Sequence, residues 1–212
     1  GYSNVGTISL IKLVLNNNDL PSYQKDLSLL LKKLVKTDSL KHNSLLQKMN
    51  QSSARKLIAL LDDFEPTEDK VCEYNNVKGR SFLCLFDYDN AISCFLKWKE
   101  AIEAIPEEAT DKDSLDKKKR WPYVMFLISD CYLKTKKYDE ARKYLDISLG
   151  YDHDEKLLSY EAKCELEYLT ENYDECIKAC EALIEKDDRD YIAYSFMSKA
   201  CYELDYIKES MV

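Results

Sequence analysis

The sequence predicts an all-α protein in which a helical N-terminal region precedes an array of paired antiparallel helices. Only four Gly and four Pro occur in 212 residues, whereas an all-β chain of this length needs turn-forming residues often. Apolar residues recur at helical spacing through most of the chain. In addition, a four-residue motif that begins with Tyr-Asp returns at nearly regular intervals. Together these observations favour helices arranged as repeats.

Net charge and hydropathy narrow the classes of partner and the compartment. The net charge of −8 disfavours nucleic acid as a partner, because phosphate binding depends on basic side chains. It favours a basic or apolar protein partner. The sequence contains no run of about 20 apolar residues and no basic stretch followed by a cleavage site. We therefore expect no membrane partner. Since the cysteines indicate reduced thiols, we also expect a cytoplasmic protein, with the nucleus as the alternative.

The eight cysteines indicate reduced thiols rather than a disulfide framework. They lie at positions 72, 84, 94, 131, 164, 176, 180 and 201, within apolar helical patterns and without a CxxC pair. We expect them to be small buried hydrophobes. Cys176 and Cys180 lie one helical turn apart, as half of a metal site would, but the chain has only two His residues to complete such a site. The sequence thus predicts no metal and no cofactor.

Residues 1–66 are predicted to form a helical region of their own, because the motif does not occur in them. Pro21 suits a first helical turn, and a broad apolar stripe follows it. Thr37–Ser39 offers caps for the next helix, and Ser52 or Ser53 for the one after it. We expect three or four short amphipathic helices that pack against one another and against the first repeat.

The motif sets the period of the rest of the chain. Its four copies are Tyr88-Asp89-Asn90-Ala91, Tyr138-Asp139-Glu140-Ala141, Tyr173-Asp174-Glu175-Cys176 and the weaker Ile207-Lys208-Glu209-Ser210. Their fourth residues are separated by 50, 35 and 34 residues. A spacing of 34 is the period of a known helix-turn-helix repeat. On this interpretation the interval of 35 contains one extra residue, and the interval of 50 contains an insertion of 16 (50 − 34).

With this period the chain resembles the tetratricopeptide repeat (TPR) family. In that family, small residues at positions 8 and 20 of each repeat let the two helices approach closely. Gly79 and Ala91 occupy these positions in the first repeat. The resemblance implies a TPR domain at 67–212, with repeats at about 71–105, 122–154 and 156–188, a partial repeat at 191–212 and a charged insertion at 106–121.

The insertion is predicted to be a solvated loop or a solvated extension of the flanking helices, because its residues are mostly charged. A long insertion after the first repeat also resembles the TPR domains of large immunophilins and related co-chaperones. The chain starts at Gly1 and ends at Val212, inside the fourth repeat. We therefore expect a piece of a longer protein.

The TPR resemblance implies a superhelix whose concave wall is formed by the first helix of each repeat. Family analogy places positions 2, 5, 9 and 12 of that helix on the wall. The candidate partner-binding residues are Asn76, Arg80, Tyr123, Phe126, Asp130, Glu161, Glu165, Tyr168, Ser195 and Lys199. Exposed Tyr and Phe in a groove suit anchoring of a peptide by apolar burial. In the alternative interpretation, some of these side chains pack against neighbouring repeats.

The predicted function is a non-catalytic scaffold or adaptor that binds a peptide or helix of a partner protein in this groove. The sequence has no Gly-rich phosphate loop, and no thiol has a recognisable base beside it. His153 falls at the end of a repeat, where we expect a turn residue. We therefore expect that the protein is not an enzyme.

Three alternatives remain open at this stage. The first is a co-chaperone with an atypical site for Hsp90 or Hsp70. The positions of the family's two-carboxylate clamp carry Asn76, Arg80, Leu127, Leu158 and Ala162, which do not match its Lys, Asn and Arg donors. The second is an RNA-binding helical repeat, which requires a basic channel and is disfavoured by the net charge of −8. The third is a homo-oligomer that pairs through Tyr-rich repeat faces.

Overall fold

The protein is described by a computed structural model that covers the backbone of residues 43–210 and the side chains of residues 51–205. Within these residues the regular structure is α-helical, with one 3₁₀ turn and no strand. The prediction of an all-α protein is therefore confirmed. The helices predicted before residue 43, including the stripe that follows Pro21, lie outside the described residues.

The described residues form nine α-helices in two compact units. The helices are α1 (Asn43–Asp62), α2 (Val71–Cys84), α3 (Tyr88–Glu103), α4 (Lys112–Lys119), α5 (Trp121–Lys134), α6 (Tyr138–Leu149), α7 (Lys156–Leu169), α8 (Tyr173–Ile184) and α9 (Tyr191–Ser210). The 3₁₀ turn, Glu68–Lys70, leads into α2. The first unit extends to Ala101 and the second begins at Ile102. Most of the predicted first repeat, residues 71–101, thus lies in the first unit, and the later repeats lie in the second.

In the first unit, α1 packs against α2. Ala54, Leu57 and Leu61 lie at helical spacing on α1 and are buried. The Tyr74 hydroxyl on α2 donates a hydrogen bond to the Leu61 carbonyl at 3.0 Å. The predicted break at Ser52 or Ser53 is wrong, because α1 runs through it without interruption. Burial of the apolar stripe outweighs the weak preference of Ser for a helix end.

Three short turns join the helices of three hairpins, α2–α3, α5–α6 and α7–α8, and share one backbone geometry. Phe86, Lys136 and Glu171 adopt left-handed φ angles of 59°, 60° and 60°. The next amide donates to the carbonyl five residues earlier, from Asp87 to Phe82, from Lys137 to Tyr132 and from Asn172 to Glu167, at 3.0, 2.9 and 2.9 Å. This is the Schellman motif that ends many helices. The turns lie 50 and 35 residues apart, so the helix-turn-helix unit recurs at the intervals of the motif.

The first hairpin has no room for a side chain at its closest approach. A Cβ atom added to Gly79 would lie 2.5 Å from Cε1 and 2.8 Å from Cδ1 of Phe95. Phe95 is fully buried, so its ring cannot move away cheaply. The small residue expected at this position is therefore required by the contact between α2 and α3.

In the other two hairpins a hydrogen bond joins the two helices at the position that corresponds to the Gly79 contact. Ser129 Oγ on α5 donates to the carbonyl of Ala141 on α6 at 2.9 Å. In the next hairpin the direction is reversed, because Cys176 Sγ on α8 donates to the carbonyl of Cys164 on α7 at 3.4 Å. Both contacts join residues that are 12 positions apart, as are Gly79 and Ala91. The contacts place Cys164 at the position equivalent to Gly79 and Ser129.

In the second unit the hairpins stack in chain order. Helix α6 packs against α7 and α8 packs against α9, while α7 also contacts the first helices on either side of it, α5 and α9. Some of the largest fully buried side chains are Met125, Leu145, Leu166 and Leu183. The first helices α5, α7 and α9 therefore form one row and the second helices α6 and α8 another.

The insertion is only partly the predicted loop. Residues 106–111 are non-helical, but the residues after them form a separate helix, α4. Asp111 caps this helix by accepting from the Ser114 amide at 2.9 Å, and Lys117 pairs with Asp113 at 2.7 Å. The residues of the predicted partial repeat at 191–212 form one long helix, α9, which continues through the weak copy of the motif at Ile207–Ser210.

Candidate functional site

Most of the predicted site residues lie on the row of first helices in the second unit. Helix α5 carries Tyr123, Phe126 and Asp130, helix α7 carries Glu161, Glu165 and Tyr168, and helix α9 carries Ser195 and Lys199. Because α7 contacts both α5 and α9, the three helices that carry these residues are neighbours in one row. We call this row, with the predicted site residues on it, the first-helix wall.

A lysine that is not among the predicted site residues links two helices of the first-helix wall. Lys134 Nζ on α5 lies 2.8 Å from Oε1 and 2.9 Å from Oε2 of Glu165 on α7. The same ammonium group lies 4.0 Å from Oδ1 of Asp130, one helical turn earlier. The (i, i+4) spacing of Asp130 and Lys134 could have predicted this pair. One cation is therefore shared by two carboxylates on different helices.

Asp130 is the most perturbed carboxylate of the first-helix wall. Burial raises its pKa to about 6, against a lowering effect of Lys134 and a further raising effect of Glu165. Its side chain is only 14% exposed. A carboxylate that is largely desolvated and incompletely compensated favours an additional cation beside it. Perturbed groups of this kind are concentrated at functional sites.

A second pair of carboxylates lies where α7 faces the start of α9. Glu161 is half-buried, and its pKa is raised, first by burial and then by the neighbouring Asp190. Asp190 Oδ1 accepts from the backbone amides of Ile192 and Ala193 at 2.8 and 3.0 Å. Asp190 therefore caps α9, and its negative charge is held beside Glu161. The acidic character of the wall thus extends from α5 to the beginning of α9.

The expectation of exposed aromatic anchors is wrong for two residues. Tyr123 is 8% exposed and Phe126 is 1% exposed. Their rings stack on each other, with centroids 5.8 Å apart and planes 20° apart. Burial of large aromatic rings is favourable, and it leaves little of either ring for a partner. The alternative interpretation, in which such side chains pack within the protein, describes these two better.

Of the remaining residues of the first-helix wall, some are packed against neighbouring side chains and others are exposed to solvent. Tyr168 is half-buried, and its ring lies 5.8 Å from that of Tyr173 and 5.7 Å from that of Phe196. Ser195 and Lys199 are exposed on α9. Lys199 Nζ lies 5.1 Å from the centre of the Phe196 ring. The accessible part of the first-helix wall is therefore charged and polar rather than aromatic.

In the first unit, the two predicted site residues interact with each other. Arg80 Nε donates to Oδ1 of Asn76 at 2.7 Å, and Asn76 is buried. The amide thus positions the guanidinium group along α2. An open groove of about 680 Å³ also occurs in this unit, with Tyr74, Lys78 and Cys94 in its lining. Neither Asn76 nor Arg80 lines it, so the groove is separate from the predicted site.

The thiols do not form a metal-binding cluster. Cys164, Cys176 and Cys180 lie together in an apolar core of the second unit. In the part of the chain that the structure describes, no group of three or more His, Cys, Asp and Glu side chains is arranged to hold a metal. The expectation that all eight cysteines are buried is wrong for two, because Cys84 and Cys201 are exposed on helix surfaces that other residues leave uncovered.

His153 lies in the loop between α6 and α7, in line with its predicted place in a turn. Its Nε2 atom lies 3.2 Å from the Ser148 hydroxyl. Burial lowers the pKa of His153, and Lys156 lowers it further. The ring is therefore held in the neutral form as part of the connection between two hairpins.

A buried ion network, none of whose residues is among the predicted site residues, lies between α6 and α7. Glu167, which is 1% exposed, accepts from Arg142 Nη1 and from Asn172 Nδ2 at 3.1 Å, and it pairs with Lys163 Nζ at 2.9 Å. Burial alone would raise the pKa of Glu167, but Arg142 and Lys163 outweigh burial and lower it. Its equivalents in the earlier repeats are Phe82 and Tyr132. A Glu at a position that otherwise carries an aromatic ring was the available sequence signal.

A scan against protein-family models finds no match for this chain, and a search of curated proteins finds no relative. Across the described residues, no helix combines the length and the apolar character that a membrane span requires.

Proposed function

We propose that this protein is a non-catalytic adaptor of the TPR class whose first-helix wall binds a peptide or helix of a partner protein. The proposal rests on the environment of Asp130. Burial raises the pKa of Asp130 to about 6, and the lysine beside it, Lys134, is shared with Glu165. A basic side chain of the partner would supply the missing positive charge. The partner segment is therefore basic, with Lys or Arg directed toward Asp130, Glu165 and Glu161.

The TPR assignment rests on the recurrence of one hairpin. The same Schellman turn occurs at Phe86, Lys136 and Glu171, and the close helix contacts join residues 12 positions apart. Periodic helix hairpins of this kind present an extended surface for protein ligands. This combination supports a scaffold more than an enzyme, because the charged groups of the wall surround no nucleophile and no general base with an orienting partner.

The competing binding modes receive less support from the wall. A two-carboxylate clamp needs converging Lys, Asn and Arg donors, but Leu127 and Ala162 at two clamp positions are buried and apolar. RNA binding needs a basic channel, whereas the described wall carries Asp130, Glu161 and Glu165. A basic protein segment suits this surface better than an acidic chain terminus or a phosphate backbone.

Affinity capture from cell extract with two matched charge variants tests the proposal. The wall variant is Glu161→Lys/Glu165→Lys, and the control is Glu181→Lys/Glu185→Lys, which places the same charge change at the same spacing on exposed residues at α8. We expect the control to retain the partners of the wild-type chain and the wall variant to lose them. Elution of the partners by added salt should accompany binding, since ion pairs at exposed sites are screened.

Capture of the same partners by both variants would contradict the proposal and place the binding site elsewhere. Far-UV circular dichroism and thermal melting of both variants provide the folding control. A wall variant that melts like the control and still loses its partners would locate the site on the first-helix wall.

A further inference from the structure

The imidazole ring of His153 is enclosed in the connection between α6 and α7, residues 150–155. Its side chain is only 2% exposed. The Nε2 atom lies 3.2 Å from the Ser148 hydroxyl near the end of α6, and that hydroxyl lies 3.0 Å from the hydroxyl of Ser159 on α7. Both serines are fully buried. A chain of three polar groups therefore joins the connection to both helices.

The other ring nitrogen lacks a hydrogen bond. Among the described residues, Nδ1 of His153 is buried without a partner. A carboxylate oxygen of Glu155 lies 4.0 Å from it, which is too far for a hydrogen bond. An N–H group without an acceptor is costly to bury. We therefore assign the proton of the neutral ring to Nε2, which donates it to Ser148.

This arrangement does not suit catalysis. A serine, a histidine and a carboxylate also make up hydrolytic triads, but the serine of a triad must be able to reach the substrate. Ser148 has no exposed surface, and its hydroxyl is directed toward Ser159. The polar chain thus holds the connection in place.

A second proton on the ring is unfavourable in this position. The proton would bind to Nδ1, and it would create a buried positive charge together with a buried N–H donor. Among the charged groups around the ring, Lys156 at the start of α7 repels the positive charge, while Asp152 and Asp154 attract it. Both aspartates are exposed, so water screens their attraction. Burial and Lys156 prevail, and the pKa of His153 is lowered.

We propose that the connection between α6 and α7 is a pH-sensitive switch, in which protonation of His153 breaks its contact with Ser148 and turns the ring toward solvent. The charged ring then interacts with water and with Glu155, whose side chain is 42% exposed. The link through Ser148 to Ser159 is lost at the same time, so the two hairpins on either side of the connection are joined less firmly. The switch does not depend on the adaptor function proposed above.

The direction of the pH effect follows from the lowered pKa. Above the ordinary His value of 6.5, the ring is neutral in both the closed and the open connection, and the closed form is fully stable. Below that value the open form binds a proton more readily than the closed form. The ratio of open to closed connections therefore rises by up to about tenfold per pH unit, until the pH reaches the pKa of the closed form.

Two tryptophans can report on this change separately. The ring of Trp121 lies edge-on to that of Tyr151 in the connection, with centroids 5.3 Å apart, whereas Trp98 is buried in the first unit. The chain contains only these two tryptophans, so fluorine NMR of the chain labelled with 5-fluorotryptophan gives one resonance for each. We expect the Trp121 resonance to shift between about pH 7.5 and about pH 5, where His titrates, and the Trp98 resonance to stay.

Two variants assign the shift to the ring. His153→Gln removes the titrating group but keeps an N–H donor for Ser148, and we expect no shift of the Trp121 resonance in it. The matched control is Asp130→Asn, which removes a carboxyl group with a pKa of about 6 and should retain the shift. Proton NMR of the wild-type imidazole, assigned by its absence from His153→Gln, should give a pKa below 6.5.

A Trp121 shift that persists in His153→Gln, or that is absent from the wild-type chain, would overturn the proposal. A measured pKa of His153 at or above 6.5 would do the same. Movement of the Trp98 and Trp121 resonances together, with one midpoint, would mean that acid acts on the whole chain, and it would also overturn the assignment of the switch to this connection.

Discussion

Two largely buried carboxylates in the second unit have opposite environments. Glu167, between α6 and α7, interacts with Arg142, Lys163 and Asn172, and its pKa is lowered. Asp130, on the first-helix wall, lies 4.0 Å from a lysine that also bonds to another carboxylate, and its pKa is raised to about 6. The first carboxylate is fully compensated inside the protein, whereas the second is not.

The difference separates a structural charge from a candidate binding group. A buried ion with several close partners stabilises the packing of the elements that supply them, and removing it leaves those partners uncompensated. A buried ion whose charge is incompletely compensated lowers the stability of the fold. Its free energy becomes more favourable when a binding partner places an opposite charge beside it. Perturbation of a pKa therefore distinguishes the two roles only when its direction and its cause are considered together.

The largest expected effect is that of Glu167→Ala. The substitution leaves Arg142 and Lys163 without their buried partner, and we expect the free energy of unfolding at pH 7 to fall by about 3 kcal/mol. Urea denaturation followed by circular dichroism measures this change. Glu165→Ala serves as the control on the partly exposed wall, where we expect less than about 1 kcal/mol. Equal effects of the two substitutions would contradict the comparison.

The pH dependence of Glu167 follows from its lowered pKa. The stabilisation is present above the unfolded-state pKa, for which the ordinary value is 4.5, and it is lost as the pH falls through the lower pKa of the folded state. In Glu167→Gln the free energy of unfolding should therefore depend less on pH, in the acidic range, than it does in the wild-type chain.

Asp130→Asn should change the free energy of unfolding in the opposite direction. Because the folded-state pKa of Asp130 is about 6 and the ordinary value is 3.8, the wild-type chain loses stability from this group as the pH rises between these values. We expect the variant to be more stable at pH 7 by about 1–2 kcal/mol. The difference should vanish below pH 3.8. Denaturation at a series of pH values measures it, and a difference independent of pH would refute the assignment.

Lys134→Met tests the shared cation directly. Removing the ammonium group should raise the pKa of Asp130 further, because Lys134 lowers it in the wild-type chain. NMR titration of the Asp130 carboxyl measures the shift. The side chain of Lys134 is 37% exposed, so we expect the free energy of unfolding to fall by less than about 1 kcal/mol. An unchanged pKa would show that Lys134 and Asp130 do not interact.

The smallest effect is expected for Glu171→Gly, in the turn beside the Glu167 network. Glu171 has a left-handed φ of 60°, which costs energy for a residue with a Cβ atom. Gly removes this cost but gives the unfolded chain more freedom, so we expect a net gain of about 0.5 kcal/mol. Thermal melting measures this gain. Gly150 has a helical φ of −68°, so Gly150→Ala serves as a control in which a Cβ atom is added where the backbone is not strained. A loss of stability in Glu171→Gly would mean that its side chain contributes more than the strain costs.

Part of the candidate site was predictable and part was not. The residues of the first-helix wall follow from the position of each residue within its repeat, and Asp130, Glu161 and Glu165 do lie on one row of helices. The burial of Phe126 does not follow from its position. Position in a repeat specifies the direction of a side chain from its helix, but burial depends on everything that packs around it.

The places where the hairpins begin and turn can be read from the sequence alone. The motif at Tyr138 and Tyr173 opens α6 and α8, and small residues such as Gly79 lie where two helices come closest. These features depend on local sterics and on a period that can be read along the chain. The pairing of Arg142 with Glu167 and the continuous course of α9 became visible only in the three-dimensional structure. The pair joins residues 25 positions apart on different helices, so no local pattern predicts it.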